Sequence, residues 1–235
     1  MPSAEDVAKR LQLVRDRCRQ AADRSGRSID NITLLCVSKT WPAEVVQYAI
    51  DAGQIEFGEN KVQEGQEKVP ALASNLDWHL IGHLQRNKVR KALPLFSTLH
   101  GIDSLKLANA VDRVAGELSL RPKILFEVNV GDEESKFGFS PDGLRESFSD
   151  LLKLQHVEIR GLMCIPPAVA KPDLARPYFQ RLVSLRDELA QAHAVALPEL
   201  SMGMSGDFEV AIEEGSTMVR VGSSIFGPRN YPPAQ

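Results

Sequence analysis

The 235-residue chain is short of several things, and each shortage removes a class of protein. It has only three cysteines, Cys18, Cys36 and Cys164, widely scattered and with no C-x-x-C pair. An odd, dispersed set builds neither a disulfide frame nor a thiolate zinc site, and fits reduced thiols in the cytoplasm. It has no basic excess: 28 Lys and Arg stand against 31 Asp and Glu, a net charge of -3. A nucleic-acid footprint calls for a basic domain with a pI above about 9. No apolar run approaches the roughly 20 residues that span a bilayer. The N-terminus carries charge at Glu5 and Asp6 and lacks the apolar stretch of a secretory leader, so a soluble intracellular protein is expected. What remains is ordinary globular material, 43% hydrophobic and 25% charged. It is enough to bury a large core, and single barrels of about 250 residues are common. One domain over residues 1–235 is therefore expected.

The apolar pattern then changes period along the chain. Val7, Leu11, Val14 and Cys18 recur at helical spacing behind Ser3 and Asp6, a capping-box pair, and Gly26 offers a stop. Ile32–Ser38 is a short, continuous, β-branched and apolar run of the kind covered on both faces in a parallel sheet. From there strand candidates follow at Ile55–Gly58, Trp78–Gly82, Thr98–Ile102, Ile124–Val130, Ile159–Cys164, Glu199–Met202 and Met218–Gly222. Helical stretches separate them at Pro42–Ala52, Asn60–Val69, Arg86–Ala92, Ser104–Leu118, Asp142–Leu154, Ala175–Ala192 and Asp207–Glu214. Eight such units without a composition break predict an α/β fold, a single (β/α)8 TIM barrel with an extra N-terminal helix. Only Ile225–Gln235 follow the last strand, too little for a second domain.

Barrels of this kind carry their chemistry at the C-terminal ends of the strands. Lys39 follows the first buried strand, which places its amine at the rim. Burial there would favour the uncharged amine that a Schiff-base lysine needs, although a strand-end lysine can equally reach solvent. The last strand ends in Gly222-Ser223-Ser224, where backbone N–H groups and hydroxyls at a helix start suit an anion. A plain turn with a serine cap is the alternative. Ser201 and Ser205 end the neighbouring strand and can add hydroxyls, although Ser205 can also serve as a cap for the next helix. First and last strands are neighbours in a closed barrel. A ligand carrying both a carbonyl and a phosphate, pyridoxal phosphate or a phosphorylated sugar, would satisfy both.

Several longer blocks are more specific. They are Leu34-Leu35-Cys36-Val37-Ser38-Lys39-Thr40, Phe57-Gly58-Glu59-Asn60, Trp78-His79-Leu80-Ile81-Gly82 and Leu84-Gln85-Arg86-Asn87-Lys88. Leu200-Ser201-Met202-Gly203-Met204-Ser205 and Glu214–Gly222 complete the set. In this order and spacing they resemble, nearly end to end, the YggS/PROSC family of pyridoxal phosphate homeostasis proteins, which share the alanine racemase-type barrel. The resemblance implies pyridoxal 5'-phosphate as cofactor, with Lys39 as its Schiff-base lysine. It implies phosphate contacts from Ser205, Gly222 and Ser223, with Ser224 as a neighbour, and a polar contact from Asn60. Arg220 matches the arginine that faces the pyridine nitrogen. His79 is a further candidate, and His83 stands where many relatives carry proline.

An arginine cannot protonate the ring nitrogen as a carboxylic acid can, so the carbanion-stabilising power of the ring is expected to be weak. Racemases of this fold add a tyrosine through a second domain and a dimer. Tyr48 and Tyr178 fall on predicted helices and Tyr231 in the tail, so no opposing base is evident. The expectation is a monomeric protein that binds, buffers or hands over the cofactor to apo-enzymes without robust amino-acid turnover. A narrow racemase is the alternative, and an aldolase-type barrel or a scaffold are more distant ones. Lys136, after the fifth strand, is either an aid to cofactor entry or a loop lysine paired with its acidic neighbours.

Overall fold

A computed structural model of the chain describes residues 1–133 and 136–228. It opens with helix α1, Ala4–Arg24, whose start carries the capping box: Ser3 Oγ accepts from the Asp6 amide, and the Asp6 carboxylate accepts from the Ser3 amide. Four barrel units follow: β1 Thr33–Val37 and α2 Ala43–Asp51, β2 Glu56–Glu59 and α3 Val62–Lys68, β3 Asp77–Leu80 and α4 Val89–Ala92, β4 Thr98–Ile102 and α5 Leu105–Leu118. The second half continues with β5 Lys123–Glu127 and α6 Pro141–Leu151, β6 Glu158–Met163 and α7 Arg176–His193, β7 Glu199–Met204 and α8 Phe208–Glu213, β8 Met218–Val221 and α9 Ser223–Phe226. The strands pair in chain order and β8 returns to β1, all parallel, so the sheet closes as the predicted (β/α)8 barrel.

Alternation along the strands sorts side chains to the two faces of the wall. Cys36, Phe57 and Trp78, paired across β1, β2 and β3, belong to the large core between barrel and helices. Leu35, Val37, Ile81 and Met218 form a separate small apolar cluster inside the barrel. The interior also holds polar groups: His79, His100, Ser201 and Arg220 are all buried.

The α1 helix lies over the joint where the first and last strands meet. Its Arg15 donates to the carbonyls of Ala52 and Gly53 after α2. Arg17 pairs with Glu209 of α8 and sits 4.6 Å over the Phe208 ring. Among the described residues no helix is long and apolar enough to cross a membrane.

Several predicted boundaries move by one to three residues, and three of the shifts show what moves them. The fifth strand stops at Glu127 rather than Val130, because Asn129 turns its side chain back to close a loop: Nδ2 donates to Glu133 O at 2.8 Å. The seventh strand runs on to Met204, since Gly203 takes φ 93 and no Cβ stands against Ala211. The stretch after β3 begins as a 3-10 turn, Arg86–Lys88, and only then becomes α4.

Candidate functional site

At the C-terminal end of the barrel lies a cavity of about 380 Å³, within the range of small-molecule pockets. Lys39, Asn60, Ser205, Arg220, Gly222 and Ser223, the six residues singled out from sequence, all line it. Strand register explains the convergence. Cys36 stands opposite Val221 and Val37 opposite Gly58, so the chain two residues on from Val37 leaves the wall between the β8 loop and Asn60. Lys39 is half-buried there. The next residue, Thr40, has φ 70, a left-handed conformation that costs about 1–3 kcal/mol and persists only where neighbours enforce it.

The β7 and β8 loops are tied together by one hydroxyl. Ser205 Oγ accepts from the amides of Gly222 at 3.2 Å and Ser224 at 3.4 Å. It is not a helix cap: Asp207 occupies that position before α8, and its Oδ1 accepts from the Met204 amide at 2.7 Å. The serine-cap alternative also falls at α9, where Gly222 holds the cap position and the Ser224 amide goes instead to Ser205 of the neighbouring loop. Ser223 is exposed and Gly206 has nothing within 4 Å of where a Cβ would stand, so this edge of the cavity is open. Hydroxyls and backbone N–H groups on one side, an amine on the other and a guanidinium below form a donor set suited to a phosphate and a carbonyl on one ring. The residues present therefore fit pyridoxal phosphate.

Arg220 is buried, and a polar chain holds it across the barrel. Its Nη1 donates to Ser201 Oγ at 2.6 Å and its Nη2 to Cys164 O at 2.8 Å. A guanidinium only donates, so the Ser201 hydrogen is left for His100 Nδ1 at 2.9 Å. His100 then carries its own hydrogen on Nε2 and donates to His79 Nδ1 at 2.9 Å. That places the His79 hydrogen on Nε2, which faces Asp77 Oδ2 at 3.5 Å. The His79 contact holds the Asp77 carboxyl down at about 2. Burial first, then the neighbouring His79 and Arg220, keeps His100 well below the usual histidine range. His79 thus supports Arg220 from within the barrel and does not line the cavity.

The cavity contains groups that the sequence reading did not select. Glu127, at the end of β5, lines it, and burial together with the nearby Asp103 pushes its carboxyl up to about 7 against the pull of Arg220. His83 lines it too, pairs through Nδ1 with Asp103 Oδ2 at 2.8 Å and stacks on Phe137 with 3.9 Å between centroids. The signal for Glu127 was a charged residue closing the clear apolar strand Ile124–Phe126. Tyr48 and Tyr178 pack against the core, not the cavity, and Tyr231 lies outside the described residues. Lys136 pairs with Glu133 and donates to Pro166 O at 3.2 Å, which is the bland alternative of the two considered for it. Among the described residues no group of three metal-ligating side chains occurs.

The family described as alanine racemase, N-terminal domain, matches residues 10–230. A pyridoxal phosphate homeostasis protein of Aquifex aeolicus is 45% identical over 96% of this chain and 100% of its own length. The chain belongs to the pyridoxal phosphate homeostasis protein family. The family member from Escherichia coli K12 is 41% identical over 96% of this chain and 98% of its own length. Among solved structures, PipY of Synechococcus elongatus with pyridoxal phosphate bound is 39% identical, covers 94% of this chain and 100% of its own, and superposes with a TM-score of 0.83.

Proposed function

We propose that this chain binds pyridoxal 5'-phosphate through Lys39 and serves its homeostasis, buffering the cofactor and handing it to apo-enzymes. The observation that carries this reading is the joining of Lys39 and the Ser205–Gly222–Ser223 edge in one cavity above Arg220. The names of the family members, and the pyridoxal phosphate held by PipY, support the same ligand.

Each residue has a distinct task. The Lys39 amine would hold the ligand covalently by condensing with its aldehyde, with release of water. Ser223 and the Gly222 amide bind the phosphate, and Ser205 fixes the loop that presents them. Asn60 adds a polar contact on the β2 side. Arg220 meets the ring nitrogen as a donor that has no proton to give up at neutral pH, and the Ser201–His100–His79 chain holds it in place. When bound, the cofactor supplies an electron-withdrawing ring, and that arginine weakens the withdrawal. Retention without fast carbanion chemistry is the result. The chain acts as a single-domain monomer in the cytoplasm, a compartment that suits three buried, unbridged thiols whose burial raises them, Cys18 and Cys164 to about 12.

The test is borohydride reduction of the loaded protein followed by peptide mass analysis. A pyridoxyl mass on Lys39 is expected, and its absence there, or its persistence at full yield on another residue in Lys39→Ala, sinks the reading. Because Glu127 and His83 bring proton-carrying groups to the cavity, α-proton exchange of amino acids in deuterium oxide is measured alongside. Turnover at about 1 per second or faster would make the protein an enzyme instead.

A further inference from the structure

Behind Lys39, on the outer face of the barrel wall, lies a buried ion cluster that a ligand in the cavity does not touch. Lys68, the last residue of α3, is buried, and its Nζ donates to Ser38 O at 2.8 Å, Glu59 Oε1 at 2.7 Å and Glu64 Oε2 at 3.2 Å. Ser38 Oγ adds a second bond to Glu59 Oε1 at 2.6 Å. Glu64 Oε2 accepts the Thr40 amide at 2.5 Å. The carbonyl before Lys39 and the amide after it are therefore both gripped by the same cluster.

The grip acts on a turn that would not choose this shape by itself. Ser38 O also accepts from the Trp41 amide at 3.1 Å, which closes a four-residue turn with Lys39 and Thr40 at its corners. Thr40, at φ 70, occupies the corner that normally favours glycine or asparagine. A buried lysine among carboxylates adds little net stability, because desolvation offsets most of the attraction. Glu59 shows the strain of this: its Oε2 is buried with no hydrogen-bond partner. What the cluster does supply is geometry.

We propose that Glu59, Lys68 and Glu64 are positioning residues for Lys39: they hold the turn from which its side chain enters the cavity, and so set how firmly an aldehyde ligand is retained. The inference rests on the reading of Lys39 as the covalent anchor. It assigns these three residues no contact with the ligand.

Two ligands separate this role from a merely structural one. Pyridoxine 5'-phosphate keeps the ring and phosphate of pyridoxal phosphate but has an alcohol in place of the aldehyde, so it tests the cavity without Lys39 chemistry. The ratio of the two dissociation constants is measured by titration for the full chain and for Glu64→Ala, which frees the Thr40 amide but leaves the Glu59–Lys68 pair intact. Misplacing an anchoring group by a fraction of an ångström loses most of its advantage, so the preference for the aldehyde should fall about tenfold in Glu64→Ala. Glu64→Gln keeps an oxygen for the Thr40 amide and should hold the preference within about twofold. The double variant Glu59→Gln/Lys68→Met removes both buried charges together and should lose the preference as Glu64→Ala does. Thermal unfolding of the ligand-free variants is recorded beside each titration. An unchanged ratio in Glu64→Ala and the double variant, or a parallel loss for both ligands, overturns the inference. If the unaltered protein itself shows no preference for the aldehyde, the anchoring role of Lys39 fails first and the inference with it.

Discussion

The barrel wall near the cavity carries a buried polar network on each face, and the two are built on opposite principles. Outside, Glu59, Lys68 and Glu64 form a charged cluster that grips backbone. Inside, His79, His100 and Ser201 form a chain of neutral groups that grips one side chain, Arg220. The outer network tolerates its charges because a cation sits among its carboxylates, and it fixes the position of a peptide. The inner one hands its hydrogen bonds from Arg220 toward Asp77 at its far end, and it fixes a direction of proton order. Under the proposed function, a site that links its ligand covalently and leaves the ring nitrogen unprotonated would be served by one network of each kind.

The sharpest way to break this comparison is to remove one charge from the outer cluster. Lys68→Ala leaves the Glu59 carboxylate buried and uncompensated and should cost about 3–5 kcal/mol in denaturant unfolding, whereas a loss under 1 kcal/mol would show that water relieves it.

Acidity distinguishes the two faces next. Burial pushes the Glu59 carboxyl up to about 7, against the pull of Lys68 and Ser38. A carboxyl raised in the fold stabilises it below its unfolded value, and that contribution is lost as pH rises through about 7. His100 is depressed, so its contribution is present above the ordinary histidine value and is lost on acidification. The stability difference between the unaltered chain and Glu59→Gln should therefore fall from pH 4.5 to pH 7, by about 3 kcal/mol at most, while that against His100→Asn should grow from pH 5 to pH 7. Slopes of the same sign would erase the distinction.

The smallest expected effect is on the inner face. Ser201→Ala strips one partner from both Arg220 and His100, which should cost about 1–3 kcal/mol of stability. Under the proposed function it should weaken pyridoxal phosphate and pyridoxine phosphate alike, since there the ring and not the aldehyde would meet Arg220. A selective loss of the aldehyde ligand would move Ser201 to the other side of the comparison.

Much of this was legible along the chain. The eight strand–helix alternations predicted the barrel, because a buried parallel strand leaves an uninterrupted apolar run and each helix keeps its own period. Lys39 and Gly222-Ser223 could be paired because closure makes the first and last strands neighbours. The networks behind them were not legible. His79 and His100 stand 21 residues apart, and His100 and Ser201 stand 101 apart, with nothing local to mark them as partners. Glu59, Lys68 and Glu64 look like ordinary helix and strand-end charges until α3 folds back on β1 and β2. Lys136 was drawn toward the site by its position after a strand, but the neighbouring Glu133 engages it. Glu127 carries no mark in the sequence beyond its charge, because its environment rather than its residue type sets it apart.

The pairing of β1 with β8 has one further consequence. In a chain emerging from a ribosome, Lys39 appears well before the residues that would receive the phosphate. Under the proposed function, the ligand's two ends would meet their partners only when the eighth strand slots beside the first. Once there, a ligand that spans both acts as a stitch across the seam that α1 overlies, and at a hundredfold excess over its dissociation constant it deepens the folded state by about 2.7 kcal/mol. Loading with cofactor would then double as a report that the barrel has closed.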